Sequence, residues 1–138
     1  MRKRTELINL DKIPSGTAQQ RKMAVVKGRI MTYPSKTLEE ARRIYARELK
    51  KLEKDEPYSG AIKLSIVFGY GAKEKKKIRQ QWKTTKPDLD NIAKVFIDSL
   101  MHHGFIEEDS NIVQLSLMKH WDDHSYILFV LEEVENGC

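Results

Sequence analysis

Three aspartates and one lysine lie close enough in sequence to form a catalytic site. Asp88 and Asp90 are separated by a single residue in "KPDLDNIAKVFIDSL", and Lys94 follows in the same stretch. Asp109 lies in the downstream stretch "GFIEEDSN". In an extended segment, side chains two residues apart point the same way, so Asp88 and Asp90 could share a cation. Carboxylate oxygens are hard ligands that favour Mg²⁺ or Mn²⁺ over zinc. This spacing permits a metal site of Asp88, Asp90 and Asp109.

The same stretch can also be explained as an ordinary amphipathic helix. An apolar stripe faces a polar side, with Leu89, Ile92, Ala93, Phe96 and Leu100 on the stripe and Asp90, Asn91, Lys94 and Asp98 opposite. Asp88 could then be the N-cap residue. Asp90–Lys94 and Lys94–Asp98 would be salt bridges one helical turn apart, each worth roughly 0.2–0.5 kcal/mol. Both interpretations stay open at the level of the helix alone.

Asp109 can reach the other two aspartates only if the chain reverses after the helix. A helix from Asp90 to His103 is roughly 20 Å long, and residues 104–109, fully extended, cover roughly the same distance. Gly104 is a plausible C-cap at which the chain could turn back. The four histidines, His102, His103, His120 and His124, do not form a metal-binding motif.

Directly before the aspartates lies a basic stretch, "KEKKKIRQQWKTTK" at 73–86, with seven basic residues and one acidic residue. The chain as a whole has a net charge of +5 and a pI of about 9.3. Cations attract a phosphodiester, and carboxylate-held metal can cleave it. The candidate DNA contacts here are Lys75, Lys76, Lys77, Arg79, Lys83 and Lys86, whereas a solvated loop is the simpler alternative. Trp82 could stack on a distorted base or simply pack against the protein.

Composition limits the class of protein. The 138 residues are enough for one domain with a hydrophobic core, so we expect a single domain over 1–138. No apolar run approaches the roughly 20 residues of a membrane span, and the N-terminus lacks the apolar region of a secretory signal. The only cysteine is Cys138, which excludes an internal disulfide and predicts a reducing, cytoplasmic location.

The pattern of the whole chain predicts an α+β fold, with a mixed sheet of about four strands packed against helices. Strands are predicted at 6–10, 61–69, 111–121 and 125–134, the last two as a hairpin around the turn "DDH". A helix begins at Thr37, where Thr37 and Glu40 fit a capping box. Residues 11–34 are predicted as a long loop or arm, with Arg21 and Lys22 as further DNA contacts.

The stretch "KPDLDNIAKVFIDSLMHHGFIEEDSNIVQLSLMK" resembles the signature of the RusA family of Holliday-junction resolvases. That signature contains a D-x-D-N, a lysine three residues later, an aspartate four residues further, a glycine followed by an aromatic residue, and an acidic pair before a strand that ends in lysine. Upstream, "QQRKM" and "YPSKT" are similar to the basic arm and helix entry of phage and prophage members.

This resemblance implies a role for each matching residue. Asp88, Asp90 and Asp109 match the family's catalytic aspartates, Lys94 matches its catalytic lysine, and Lys119 matches the lysine that ends the strand. The implied protein is a RusA-like, Mg²⁺-dependent endonuclease that resolves four-way DNA junctions as a homodimer. Lys119 is added to the candidate DNA contacts. Lys94 would neutralise charge on the phosphate or orient the attacking water.

Two other classes of function remain open. The chain could be a non-catalytic, basic nucleic-acid-binding module of a phage recombination cluster, in which case no Mg²⁺-dependent nicking should occur. It could also be a small interaction protein of such a cluster, in which case its affinity for DNA should be negligible.

Overall fold

In the computed structural model, which describes residues 1–16 and 21–135, a four-stranded sheet carries helices on one face. The strands of this sheet are β1 (Lys3–Leu10), β4 (Ile62–Gly71), β5 (Ile112–Asp122) and β6 (Ser125–Glu133). Two further strands, β2 (Arg21–Val26) and β3 (Arg29–Pro34), form a separate hairpin. The helices are α1 (Lys36–Lys50), α2 (Lys75–Gln80) and α3 (Leu89–His102). The predicted α+β fold with a mixed four-stranded sheet is confirmed.

The sheet has the order β1-β6-β4-β5. β6 pairs antiparallel with β1 on one side and with β4 on the other, whereas β5 runs parallel to β4 at the edge. A parallel pair needs a long crossover connection, and here the connection from β4 to β5 contains both α2 and α3. The crossover brings the end of α3 back to the start of β5, and so positions the residues around Asp109.

The predicted hairpin of the last two strands is wrong. β5 and β6 are consecutive in sequence, but β4 lies between them. The short turn at 122–124 crosses the end of β4, where the Ala72 amide donates to the Asp122 carbonyl at 2.8 Å and the Gly71 amide donates to Ser125 Oγ at 3.0 Å. Sequence proximity favoured a hairpin, but both strands pair with the apolar strand β4 instead of with each other.

Residues 11–34 were predicted as a loop or arm, and this is wrong for the second half of the segment. β2 and β3 pair antiparallel, with Val26 opposite Arg29. The two residues between them, Lys27 and Gly28, both have positive φ, 51° and 76°. Positive φ at both central positions is typical of a type I′ hairpin turn, in which glycine is favoured at the second position. Residues 17–20 lie outside the described part of the chain.

Helix α1 begins one residue earlier than predicted. Ser35 is its N-cap, and Ser35 Oγ accepts a hydrogen bond from the Leu38 amide at 3.2 Å. The predicted capping box of Thr37 and Glu40 is therefore wrong, because the serine two residues before Thr37 already caps the helix. The stretch at 73–86, predicted as a loop, contains the short helix α2.

The core lies between the sheet and helices α1 and α3, and Phe96 is at its centre. The Phe96 ring meets those of Tyr45 on α1, Phe68 on β4 and Phe129 on β6 edge to face, with centroids 5.2, 6.3 and 5.5 Å away. Such edge-to-face contacts fix a helix more specifically than aliphatic packing alone. One face of α3 is thereby held in the core, and the opposite face is directed outward.

Candidate active site

Asp88 occupies the N-cap position directly before α3, but its carboxylate does not cap the helix. The Asn91 and Ile92 amides donate to the Asp88 carbonyl at 3.1 and 3.2 Å, as expected at an N-cap. Its side chain makes no capping hydrogen bond. Instead, Asp88 Oδ1 accepts a hydrogen bond from Lys86 Nζ at 3.1 Å. The backbone of Asp88 begins the helix, and its carboxylate remains largely exposed beside it.

The outward face of α3 carries Asp90, Lys94 and Asp98 on successive turns. Lys94 Nζ lies 3.8 Å from Asp98 Oδ1, which confirms one of the two predicted salt bridges. Among the described residues, the second one, Asp90–Lys94, is not formed within 4.0 Å. A salt bridge along the helix therefore explains the presence of a carboxylate at Asp98, but not at Asp90.

The chain turns back at Gly104, as its position in the sequence predicts. Gly104 has φ of 81°. Its amide donates to the Met101 carbonyl at 3.3 Å, and the Phe105 amide donates to the Leu100 carbonyl at 2.9 Å. These two hydrogen bonds form a Schellman motif, which needs a left-handed residue at the position of Gly104.

Asp109 is held in place by the segment that follows this turn. The Tyr58 amide donates to the Phe105 carbonyl, and the Glu107 amide donates to the Tyr58 carbonyl, both at 2.9 Å. A 3-10 turn, Asp109–Asn111, then leads into β5, and Asn111 Oδ1 accepts a hydrogen bond from the Glu108 amide at 3.1 Å. The turn contacts α3, so the segment returns to the helix that carries the other aspartates.

An open groove of about 480 Å³ lies between α3, the 3-10 turn and β5. Asp90, Lys94 and Asp109 all line it. The rest of its surface is mainly apolar and comes from α3 and β5; its other lining residues are Ala93, Ile97, Asp98, Ser110, Ile112, Leu115 and Leu117. Two of the three predicted metal ligands and the predicted catalytic lysine thus share one surface. Asp88, at the N-cap, is not part of the lining.

The donor set of this groove fits a hard divalent cation. Among the described residues, no hydrogen bond or salt bridge engages the carboxylate of Asp90 or of Asp109. Both side chains are exposed, so both carboxylates are accessible to a cation from solvent. The oxygens of Asp88, Asp90 and Asp109 do not all lie within 4.8 Å of one another, so the three do not form a closed cluster.

Within the described residues, a closer group of potential ligands lies in the turn between β5 and β6, at Asp122, Asp123 and His124. Its carboxylates have protein partners. Tyr126 donates its hydroxyl proton to Asp122 Oδ2 at 3.2 Å, and Asp123 Oδ1 pairs with His124 Nδ1 at 2.5 Å. The Asp123 amide and the Tyr126 hydroxyl lower the pKa of Asp122. These contacts explain why the three side chains of the turn lie close together.

The basic stretch before α3 presents most of its cations to solvent. Lys75, Lys76 and Arg79 on α2 are exposed, as is Lys86. Lys77 is less available, because its ammonium lies 3.6 Å from Glu74 and 4.9 Å from the centre of the Trp121 ring. Trp82 is 50% exposed, so its side chain is partly accessible to solvent. Arg21 and Lys22 lie on β2, and their side chains are outside the described part of the structure.

Lys83 and Lys119, also candidate DNA contacts, bind the protein itself in this conformation. Lys83 is only 8% exposed, and its Nζ donates to Thr85 Oγ1 at 2.6 Å and to the Lys86 carbonyl at 2.7 Å. Burial and the charge of nearby Lys119 lower the pKa of Lys83. Lys119 Nζ donates to the carbonyls of Thr85 and Pro87, at 2.7 and 2.6 Å. Their contact with DNA stays a prediction.

Comparison with known proteins identifies the family of the chain. The family model described as endodeoxyribonuclease RusA matches residues 14–129, which include all of α3 and the 3-10 turn. The chain belongs to the RusA family. It is also 34% identical, over 91% of its own length and 94% of the relative's, to the crossover junction endodeoxyribonuclease RusA of Lactococcus phage r1t. The predicted family membership is confirmed, and the protein is an endodeoxyribonuclease.

Reasoning from the sequence did not identify several residues around the site of this RusA-family enzyme. Leu115 and Leu117 were assigned only to a strand, although they form part of the groove. Asn111, which fixes the turn at Asp109, was not singled out. An asparagine three residues after Glu108 was an available signal, because such a pair can bond reciprocally across a helical turn. The internal hydrogen bonds of Lys83 and Lys119 had no signal in the sequence.

Proposed function

We propose that this RusA-family endodeoxyribonuclease resolves Holliday junctions by Mg²⁺-dependent hydrolysis of a phosphodiester in each of two strands. The observation that carries the proposal is the shared groove of Asp90, Lys94 and Asp109, in a chain related along most of its length to a phage crossover junction endodeoxyribonuclease. The unit of activity is a single RusA-like domain, and its location is the cytoplasm, where the DNA to be resolved lies.

Asp88, Asp90 and Asp109 are the proposed ligands of the cation. All three are carboxylates, which is the ligand chemistry of Mg²⁺, with Mn²⁺ as the alternative ion. When bound, the cation would make a coordinated water acidic enough to attack and would polarise the phosphate. The chain's own part is to direct the exposed carboxylates of α3 and of the 3-10 turn at the same ion.

Lys94 is the proposed catalytic cation. It lies one turn after Asp90, on the same exposed face of α3 and in the same groove. Its ammonium would hold a non-bridging phosphate oxygen and stabilise the charge that develops there. Its pairing with Asp98 at 3.8 Å is long and exposed, so a phosphate can compete for the ammonium.

Exposed cations on the approach to α3 are proposed to bind the DNA backbone. They are Lys75, Lys76 and Arg79 on α2 together with Lys86, and Arg21 and Lys22 would add to them from β2. α2 and α3 both contact β5, so the same strand holds the cations and the groove. Half-exposed Trp82 is proposed to stack on a distorted base at the branch point.

A homodimer is the proposed assembly, because a four-way junction has approximate two-fold symmetry and must be cut twice. Among the described residues, β5 has a partner strand on one side only. It exposes several large apolar side chains, Val113 (62%), Leu115 (45%) and Met118 (40%). Exposed apolar residues of this kind favour burial against another subunit. No helix of the described residues is long and apolar enough to cross a membrane.

The test is a cleavage assay on a four-way junction with a mobile core, run beside linear duplex DNA of the same sequence. With Mg²⁺ we expect paired, symmetric cuts in the junction and little cleavage of the duplex, and without metal we expect binding alone. Binding without any Mg²⁺-dependent nicking would favour the alternative, a non-catalytic DNA-binding module. Equal cleavage of both substrates would contradict selectivity for junctions.

A further inference from the structure

The segment that leads into α3, residues 81–87, is fastened to the sheet from two directions. Its backbone lies beside β5, where the Trp121 amide donates to the Gln81 carbonyl at 2.6 Å. Its last residue, Pro87, immediately precedes Asp88. The position of this segment therefore determines where the first candidate ligand stands relative to the groove.

Lys83 lies within the segment and stabilises it through its side chain. Its ammonium donates to Thr85 Oγ1 and to the Lys86 carbonyl, and it faces the rings of Trp121 and Tyr70 at 4.5 and 5.0 Å. An ammonium group has three protons to donate and no acceptor. Two of the three are used within the segment, and the aromatic rings partly offset the loss of water around the charge.

Lys119 lies on β5 and binds the same segment. Its ammonium bridges the carbonyls of Thr85 and Pro87. Thr85 is thus held twice, through its hydroxyl by Lys83 and through its carbonyl by Lys119. Together the two lysines take up the carbonyls of Thr85, Lys86 and Pro87, which are the three residues before Asp88.

This use of two cations is costly and calls for an explanation. Among the described residues, neither ammonium has a carboxylate within 4.0 Å, and Lys83 is almost completely buried. Burying a charge without an opposite charge is unfavourable, so it is retained where its hydrogen bonds serve a purpose. Apolar side chains could pack against β5 at lower cost, but they could donate no hydrogen bond to these oxygens.

We propose that Lys83 and Lys119 are positioning residues of the metal-binding site. By holding the three carbonyls before Asp88, they fix the start of α3 so that Asp88 and Asp90 are directed toward the ion that Asp109 completes. They act through these aspartates and not through DNA phosphates. The inference rests on the proposed function, and it separates these two lysines from the exposed cations of α2.

A methionine substitution tests this role because it keeps most of the apolar stem and removes the ammonium. For Lys119→Met we expect at least tenfold slower cleavage at low Mg²⁺, a several-fold higher Mg²⁺ concentration for half-maximal rate, and partial recovery at high Mg²⁺. Small displacements of catalytic groups have effects of this size. Lys119→Arg should restore part of the rate, because a guanidinium can still donate to two carbonyls.

The readouts that do not depend on cleavage use metal-free protein. In gel shifts on the junction, Lys119→Met should leave the slope of log affinity against log salt unchanged. The matched control Lys76→Met, which changes an exposed lysine on α2, should lower the slope by about 0.9. Hydrogen exchange should become faster at the amides around 84–90 in Lys119→Met and should stay unchanged in Lys76→Met.

Two results would overturn the inference. One is a salt slope for Lys119→Met that falls as much as that of the control, which would make Lys119 a phosphate contact. The other is an unchanged Mg²⁺ requirement together with unchanged hydrogen exchange. Should Lys83→Met fail to fold, Thr85→Val removes the hydroxyl that Lys83 binds and provides the same test. Failure of the proposed function is distinguishable, because wild-type protein would then show no Mg²⁺-dependent cleavage at all.

Discussion

Asp90 and Asp109 line the same groove, although nearly all of α3 and a tight turn separate them in sequence. Asp90 stands in the first turn of the helix, and Asp109 begins the 3-10 turn after the chain has reversed at Gly104. Two exposed carboxylates without protein partners repel each other across such a groove. A divalent cation bound between them would remove that repulsion, as the proposed metal site requires.

Asp90→Asn tests whether this carboxylate is a ligand. The amide keeps the size of the side chain but lacks the charge that a hard cation needs, so Mg²⁺-dependent nicking should fall by orders of magnitude. Folding should survive, because Asp90 is exposed and takes part in no described salt bridge. Metal-free junction binding should be equal or stronger, since a negative charge facing phosphate has gone. Gel shift and nicking assays on the same preparation measure both effects.

Asp88→Asn and Asp109→Asn should behave in the same way. Glu107→Gln is the matched control, because Glu107 is an exposed carboxylate two residues before Asp109 and does not line the groove. The control should cut at the wild-type rate. If Asp90→Asn cleaves at the wild-type rate, Asp90 is only an ordinary surface residue of an amphipathic helix.

Lys94→Ala should separate catalysis from metal binding. Its ammonium is expected to contact phosphate, so its removal should slow cleavage by a factor of 100 or more, a loss comparable to that of one preorganised charge-stabilising donor. Mg²⁺ binding should persist, because the three carboxylates are unchanged, and titration calorimetry can follow it. Asp98→Asn is the control for the broken salt bridge. Loss of metal affinity in Lys94→Ala would contradict a role that is limited to phosphate.

The local pattern of the sequence predicted the helix of the site well. The spacing of apolar residues along one helical stripe identified α3 and its buried face, and Gly104 marked the reversal of the chain. These features depend on neighbours within one or two turns, and such neighbours are visible in the sequence. The family signature placed the three aspartates in one site, and the groove supports this placement for two of them.

Long-range pairing could not be predicted in the same way. The short turn at 122–124 favoured a hairpin, but the preference of β5 and β6 for opposite edges of β4 depends on contacts between distant residues. The roles of Lys83 and Lys119 were hidden for the same reason. Neither lysine has a local sequence feature that distinguishes a phosphate contact from a hydrogen bond to the chain's own carbonyls.

Changing Lys75, Lys76 and Lys77 together to alanine should weaken junction binding and flatten its salt dependence. Each lost phosphate contact lowers the slope of log affinity against log salt by about 0.9. Lys75 and Lys76 should account for most of the change, because Lys77 is already paired with Glu74 and the Trp121 ring. Gel shifts over a range of salt concentrations measure the slope. Lys54→Ala, an exposed lysine in another loop, is the control, and an unchanged slope in the triple variant would exclude α2 from DNA binding.

His103 should make the protein less stable in mild acid. Burial, followed by the charges of His102 and Lys50, lowers the pKa of His103 in the folded state. The unfolded chain therefore binds a proton first as the pH falls through about 6.5, and stability decreases from there down to the lower folded pKa. Between pH 7.5 and 5.5, the melting temperature of His103→Gln should fall less than that of the wild type. An equal fall in the two proteins would contradict this assignment.

Paired cutting should require two active subunits in one assembly. Light scattering at working concentrations should give the mass of a dimer, and a stable monomer that still makes symmetric cuts would contradict the proposal. Mixing wild-type and Asp90→Asn subunits gives a sharper test, because both kinds should bind the junction through the same cations. If one subunit makes each cut, junctions cut in both strands during one binding event should decrease with the square of the wild-type fraction. Junctions nicked in only one strand should at first increase, because a mixed dimer keeps one active groove. A decrease of paired cuts in proportion to the wild-type fraction, with no increase of single nicks, would mean that each chain acts alone.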